Sequence, residues 1–113
     1  MNVDLDHTVV TVTDWERSNA FYRDVLGAEI VELDRGRYAY RLPDGRQLNV
    51  HGPGATPEPR AADPVRPGNS DLCFLFSGSA NEAFEYLRAR GIGTSVYFRD
   101  PDGSLLELIS YRA

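Results

Sequence analysis

Hydrophobic and polar residues alternate along the start of the chain and then change to a helical period. Residues 3–12 are rich in β-branched residues with a period of two, which predicts a strand. Thr13 to Glu16 has the form of a capping box, and the apolar residues after it recur at mostly helical spacing. Gly27 is placed to end this helix. Three further strands are predicted near residues 28–34, 36–42 and 46–51.

The second half of the chain repeats this order of elements. A strand at 71–77 is followed by a capping box at Ser79 to Glu82 and by a helix over residues 80–90. Gly91 is placed to end that helix, and two strands are predicted at 95–100 and 104–111. The pattern therefore predicts an α+β fold built from a duplicated unit.

Tight turns support the duplication. Leu-Pro-Asp-Gly at 42–45 and Asp-Pro-Asp-Gly at 100–103 both suit a type I turn, and Asp34-Arg35-Gly36 is predicted to join two strands of the first unit. Asn49 and Glu107 each stand four residues after the glycine of their turn. We therefore expect Asn49 and Glu107 to occupy corresponding positions.

The first strands of the two units correspond in the same way. His7 precedes Tyr22 by 15 residues and Gly27 by 20, and Asp71 precedes Tyr86 and Gly91 by the same intervals. His7 and Asp71 are therefore also predicted to be equivalent.

The second unit is shorter than the first. Gly27 and Asn49 are separated by 22 residues, whereas Gly91 and Glu107 are separated by 16. Either the second unit has lost about one strand, or a loop is missing from the sequence between Gly91 and Ser95. The abrupt passage GIGTSVYF at 91–98 favours the missing loop.

These observations predict one domain, residues 1–113, made of two modules. The first module covers residues 1–52 and the second residues 71–113. Between them, residues 53–70 form a proline-rich linker, and five of the seven prolines lie in this part of the chain. Such a segment is typical of an extended connection that crosses from one sheet to the other.

Composition excludes several classes of partner. The net charge of −5 and the pI near 4.9 argue against nucleic acid or an anionic membrane. No apolar run approaches the length of a membrane span, and the acidic N-terminus is unlike a signal peptide. The single cysteine, Cys73, lies in an apolar run and is predicted to be a core residue of a cytoplasmic protein.

The period of two assigns the polar residues of each strand to faces. Asn49 and His51 share a face, and so do Asp71 and Cys73. Glu107 is the one charged residue in the apolar strand SLLELIS, where a carboxylate is costly unless it is paired or bound to a cation. The alternative is an edge strand with Glu107 in water, and His7 could equally be structural. Through the duplication, His7, His51, Asp71 and Glu107 could converge on a divalent metal such as Zn²⁺, Ni²⁺, Fe²⁺ or Mn²⁺.

Three stretches resemble the vicinal oxygen chelate superfamily, which contains glyoxalases, bleomycin resistance proteins, fosfomycin resistance proteins and extradiol dioxygenases. They are Asp-His-Thr at 6–8, AFYRDVLG at 20–27 and YFRDPDGSLLE at 97–107. NVHGPG and PGNSDLCF further resemble its glyoxalase-like, virulence-protein branch. The resemblance implies two βαβββ modules whose strands form a U-shaped mixed sheet around a metal, with the helices packed outside.

The resemblance also implies roles for single residues. His7 matches a histidine ligand, and Glu107 matches the glutamate ligand, which could also move a proton as the catalytic residue. Asn49 stands where glyoxalases have a glutamate, and Asp71 stands where most metal-binding members have a second histidine. Either Asp71 ligates directly or His51 replaces that histidine. Ser95, Tyr97 and Asn49 are expected to contact substrate.

Three functions follow from the resemblance. The first is a metal-dependent lyase, isomerase or dioxygenase acting on a small molecule with neighbouring oxygens. The second is a metal-free protein that binds a small molecule, as bleomycin resistance proteins do, and the third is a scaffold without either activity. Fosfomycin transfer is not expected, because Val9 replaces a threonine of those proteins. The modules of such proteins pair within a chain or across a dimer, so a homodimer is expected.

Overall fold

Strand, helix and strands follow one another twice along the chain. The computed structural model describes residues 1–33, 37–93 and 95–112, and its contacts divide the chain into two units, 1–67 and 68–113. The elements of the first unit are β1 His7–Thr11, α1 Trp15–Leu26, β2 Glu29–Glu32, β3 Tyr38–Arg41 and β4 Gln47–His51. Those of the second unit are β5 Asp71–Leu75, α2 Ala80–Ala89, β6 Tyr97–Arg99 and β7 Leu105–Ile109.

Each unit contains one mixed sheet. The first sheet has the order β1-β4-β3-β2 and the second the order β5-β7-β6. In both, the first and last strands of the unit pair in parallel and the remaining pairs are antiparallel. The predicted α+β class is confirmed. The described part of the second unit has three strands, whereas the first unit has four. Thr94 lies outside the described residues, in the segment from which a loop was expected to be missing.

The two parallel pairs show the duplication directly. His7 is the register partner of Gln47, two residues before Asn49, and Asp71 is the partner of Leu105, two residues before Glu107. The register therefore agrees with the predicted equivalence of His7 with Asp71 and of Asn49 with Glu107.

The turns and helix caps follow the sequence closely, with one correction. Gly45 N–H donates to the Leu42 carbonyl and Gly103 N–H to the Asp100 carbonyl, which confirms both Pro-Asp-Gly turns. The predicted turn at 34–36 lies outside the described residues. Helix α1 is capped by Asp14, whose carboxylate accepts from the Arg17 N–H, and not by Thr13 as predicted. Thr and Asp side chains can both cap a helix. The extended backbone before the helix continues through Asp14, so the cap lies one residue later than predicted.

Helix α1 packs on one face of the first sheet through aromatic side chains. Tyr22 and Tyr40 are both fully buried and stack with ring centroids 4.7 Å apart. The Tyr40 hydroxyl donates to Oδ1 of Asn19 at 2.6 Å and lies 2.9 Å from the Ser18 hydroxyl, so its polar tip is satisfied inside the core.

Gly52 is needed where the chain leaves β4. A Cβ atom at this position would lie 1.9 Å from the indole of Trp15, which packs on Tyr38 at 4.8 Å between ring centroids.

Gly52→Ala is expected to lower the free energy of unfolding by about 1–3 kcal/mol, because the indole must leave its site. Chemical denaturation measures this loss. On a Trp15→Ala background the same change should cost less than about 0.5 kcal/mol; an equal cost on both backgrounds would contradict the packing explanation.

The second unit has a smaller apolar core. Leu106 on β7 and Leu87 on α2 are fully buried, and Phe98 on β6 is nearly so. Leu106 pairs in register with Leu72 and Phe98, so these three side chains lie on one face of the sheet, the face that α2 covers. Glu107, the next residue along β7, must therefore lie on the opposite face.

None of the helices in the described ranges has the length and apolar character needed to span a membrane.

Candidate functional site

The predicted site residues of the first unit lie on the face of its sheet that points away from α1. Tyr38 and Tyr40 contact α1, and alternation places their register neighbours on the same side. The other side, here called the α1-distal face, carries His7, Val9, Thr11, Gln47, Asn49 and His51. The prediction that Asn49 and His51 share a face is therefore confirmed.

His7 has an arrangement suited to ligating a metal. Its side chain is 44% exposed, and its Nδ1 lies 2.9 Å from Oδ2 of Asp6. A carboxylate at Nδ1 stabilises the tautomer that carries its proton there, which leaves Nε2 as the atom that can coordinate. The preceding residue thus supplies an orienting group that sequence analysis did not identify.

His51 lies away from His7 on the same face. In the register of β1 and β4, His7 neighbours Gln47, whereas His51 neighbours Thr11. The register row of His7 and the register row of His51 are four residues apart along the strands, which corresponds to about 13 Å of backbone. The structure does not bring their imidazoles to one point of this sheet. Asn49 lies between them and accepts a hydrogen bond from Gln47 Nε2 at 2.8 Å.

Glu107 is the centre of the matching face in the second unit, here called the α2-distal face. In register it has Cys73 on one side and Tyr97 on the other, so the three residues form one row across β5, β7 and β6. Glu107 is half-buried, Tyr97 is 50% exposed, and Cys73 is exposed. The prediction that Cys73 is a core residue is therefore wrong, because its strand presents this face away from α2.

The carboxylate of Glu107 contributes to a raised pKa of both neighbours. Its charge and its hydrogen bond to the hydroxyl raise the pKa of Tyr97. Partial burial raises the pKa of the Cys73 thiol first, and a hydrogen bond to Glu107 and the charges of Glu107 and Asp71 raise it further. Both groups therefore stay protonated to higher pH than usual and can donate to the carboxylate.

The remaining predicted residues lie beside this row. Asp71 is exposed at the start of β5, two residues before Cys73 and on the same face. Ser95 precedes β6, and its hydroxyl accepts from the Tyr97 N–H at 3.1 Å, so it fixes the start of that strand. Whether Ser95, Tyr97 and Asn49 contact a substrate stays a prediction.

Each unit carries side chains of the kind that bind divalent metals. The imidazole of His7 lies on the α1-distal face and the carboxylates of Asp71 and Glu107 on the α2-distal face, and Zn²⁺, Ni²⁺, Fe²⁺ and Mn²⁺ accept both kinds of ligand. Within residues 1–33, 37–93 and 95–112, however, no three or more His, Cys, Asp or Glu side chains form a group that could hold a metal.

Glu107→Gln is expected to lower the pKa of the Cys73 thiol, because it removes the neighbouring negative charge that favours the protonated form. The pH at which iodoacetamide alkylation reaches half its maximal rate should therefore fall. It should remain above that of a free thiol, since partial burial is the larger cause. Asp71→Asn should produce a smaller fall. An unchanged midpoint in Glu107→Gln would show that the carboxylate does not act on the thiol.

Comparison with known proteins agrees with this architecture. The sequence model of the "Glyoxalase/Bleomycin resistance protein/Dioxygenase superfamily" matches residues 4–108. The chain belongs to this superfamily. The resemblance drawn from the sequence motifs is thereby confirmed, and the two mixed sheets with one helix each agree with the expected α+β fold.

Two curated relatives are more than 30% identical to this member of the superfamily. The glyoxalase domain-containing protein RDO1 of Mycosarcoma maydis is 35% identical over 123 aligned positions, which cover 96% of this chain and 68% of that protein. Virulence protein STM3117 of Salmonella typhimurium is 33% identical and covers 95% of this chain and 83% of that protein. Its crystal structure matches 99% of this chain with a TM-score of 0.86. Because 123 positions exceed the 113 residues here, the first relative contains residues without a counterpart in this chain.

More distant superfamily structures share the fold alone. Lactoylglutathione lyase from Agrobacterium tumefaciens is 23% identical with a TM-score of 0.75. The fosfomycin resistance protein FosX from Listeria monocytogenes, in a structure complexed with Mn(II) and sulfate, is 21% identical with a TM-score of 0.66. The fold of this chain therefore occurs with a bound divalent metal in another protein.

Proposed function

We propose that this superfamily member is a metal-dependent enzyme of the glyoxalase or dioxygenase kind, acting on a small molecule with neighbouring oxygens. The observation that carries the proposal is the position of Glu107, a half-buried carboxylate in the middle of the α2-distal face with two protonated neighbours. A carboxylate held in this way can accept a proton from a substrate and return it.

The proposed ligands of the metal are His7, Asp71 and Glu107. His7 has the orienting carboxylate that metal-bound histidines usually have. Asp71 is preferred to His51 because the register separates His51 from His7, although ligation by His51 stays a prediction. A bound divalent ion would act as a Lewis acid on the substrate oxygens. The chain itself would orient the substrate and hold the moving proton on an Oε atom of Glu107.

The hydroxyl of Tyr97 is the second group with a proposed chemical part. A tyrosine hydroxyl is protonated at neutral pH, and the charge of Glu107 raises the pKa of Tyr97 further, so the hydroxyl can donate a hydrogen bond to an oxygen of the substrate or to Glu107. Half of the residue is exposed, so a ligand can reach it from the α2-distal face.

A metal-free binding protein of the bleomycin resistance kind is the second candidate. It is favoured by one observation: the described residues contain no group of three metal-competent side chains. The two candidates differ in what stabilises the fold, because a ligand raises the melting temperature only if it binds the native state.

Metal content and thermal unfolding separate the two candidates. Protein purified without chelators should contain about one divalent metal per chain, and the stripped protein should melt higher after addition of Zn²⁺, Ni²⁺, Mn²⁺ or Fe²⁺. His7→Gln should remove this shift, whereas Arg88→Gln on α2 should keep it. Protein without metal and without any shift would refute the enzyme and leave the binding protein.

A further inference from the structure

The first unit contains a cleft apart from the row around Glu107. Residues 53–67 fold back against the ends of β1 and β4 and line an open cleft of about 670 Å³. The Thr11 hydroxyl donates to the Val65 carbonyl at 3.1 Å, and the Val12 N–H donates to the His51 carbonyl at 2.9 Å. These bonds tie the proline-rich segment and the strand ends together. A space of this size is in the range of small-molecule sites.

The lining of this cleft is apolar with a positive edge. Most of its wall is formed by proline, valine and alanine side chains, and its charged side chains are Arg60 and Arg66. None of the described residues that line it is an aspartate or glutamate, although the chain carries a net charge of −5. A cleft of this kind selects an anion with an apolar body.

The two arginines already have local partners on the protein surface that a ligand would have to replace. Arg60 Nη1 lies 3.7 Å from Glu58, and Arg66 pairs with Asp63; all four side chains are more than half exposed. Exposed ion pairs of this kind contribute little to stability, so exchange of the carboxylate for a ligand oxyanion costs little. A guanidinium also matches the geometry of an oxyanion with two parallel hydrogen bonds.

His51 lines the same cleft and adds a polar group, because its imidazole can form a hydrogen bond to a ligand. The charge of the nearby Arg37 adds to the positive potential beside the cleft.

We propose that this cleft is a binding site for a small organic oxyanion with an apolar body, held by Arg60 and Arg66 through its charged group and by the proline-rich wall through its apolar part. Arg60 and Arg66 are not among the proposed metal ligands His7, Asp71 and Glu107, so the proposal stands whether or not the chain binds a metal.

Two fluorescent probes with the same ring system test the charge selectivity. 1-Anilinonaphthalene-8-sulfonate carries the oxyanion, and N-phenyl-1-naphthylamine lacks it. The wild-type protein should bind the sulfonate at least about tenfold more tightly than the neutral amine. The double variant Arg60→Gln/Arg66→Gln should bind the sulfonate about tenfold more weakly and the neutral amine with unchanged affinity.

The controls test separately the charge of the two side chains, the integrity of the fold and the location of the bound probe. Arg60→Lys/Arg66→Lys, which keeps both charges but loses the paired hydrogen bonds of the guanidinium, should bind the sulfonate more tightly than the double glutamine variant and more weakly than the wild type. Arg88→Gln, which removes one positive charge from the second unit, should leave the affinity unchanged. In amide NMR spectra the sulfonate should shift signals of residues 51–66. Equal affinity for both probes, full affinity in the double glutamine variant, or shifts concentrated around Cys73 and Glu107 would each overturn the proposal.

Discussion

Glu107→Gln is expected to weaken divalent metal binding at least about a hundredfold, since the amide that replaces the carboxylate has no charge and is a poor ligand. The substitution preserves size, and Glu107 lies on the face of β7 opposite the buried Leu106, so the core should stay intact. Calorimetric titration of the metal-free protein with Ni²⁺ or Mn²⁺ measures the change.

Glu85→Gln is the matched control for this experiment. Glu85 is exposed on α2 and pairs with Arg88 at 3.0 Å, so the control removes the same charge from the same unit. It should alter the affinity less than about twofold, as screening of exposed charges predicts. If both variants bind metal as tightly as the wild type, Glu107 is not a ligand.

Leu106→Ala is expected to lower the free energy of unfolding by about 2–5 kcal/mol, because it opens a cavity in the small core of the second unit. Leu106 is fully buried between its register neighbours Leu72 and Phe98. A loss of this size is a large part of the stability of a domain of this length. Urea denaturation followed by circular dichroism measures it.

Leu75→Ala provides the control for this core substitution. Leu75 lies on β5 in the same sheet and is 70% exposed, so the same chemical change should cost less than about 0.5 kcal/mol. Equal losses at both positions would contradict the assignment of Leu106 to the core and of its neighbour Glu107 to the opposite face.

Local sequence signals predicted much of this fold. The period of two predicted that Asn49 and His51 share a face of the first sheet and that Asp71 and Cys73 share a face of the second. The Pro-Asp-Gly motifs predicted the turns that connect the last two strands of each unit. These features depend on neighbouring residues alone, so a single sequence contains them. The spacing of the two units also fixed which residues correspond.

Sequence patterns did not predict the structural features that depend on packing between distant parts of the chain. Cys73 stands in an apolar run, yet it is exposed, because half of an apolar strand can face away from the helix. The separation of His7 from His51 required the register of β1 and β4, which pattern alone does not provide. Residues 53–67 were predicted only as part of a linker, and the cleft that they line was not predicted. No periodic pattern in a sequence marks a segment that folds back onto its own sheet.

Glu107 was predicted as a site residue because a carboxylate in an apolar strand is costly unless it is paired or bound to a cation. The structure places it in one row with Cys73 and Tyr97, and its role as a ligand stays a prediction. Asp6 beside His7 was missed, although the pair Asp-His is visible in the sequence, because adjacent residues in a strand normally point to opposite faces.

X-ray absorption spectroscopy of the protein loaded with one equivalent of Ni²⁺ or Zn²⁺ tests the central claim most directly. We predict oxygen and nitrogen ligands with the scattering pattern of one imidazole, which disappears in His7→Gln and remains in His51→Gln. Scattering from two imidazoles, from none, or from one that survives His7→Gln would contradict the proposed ligand set.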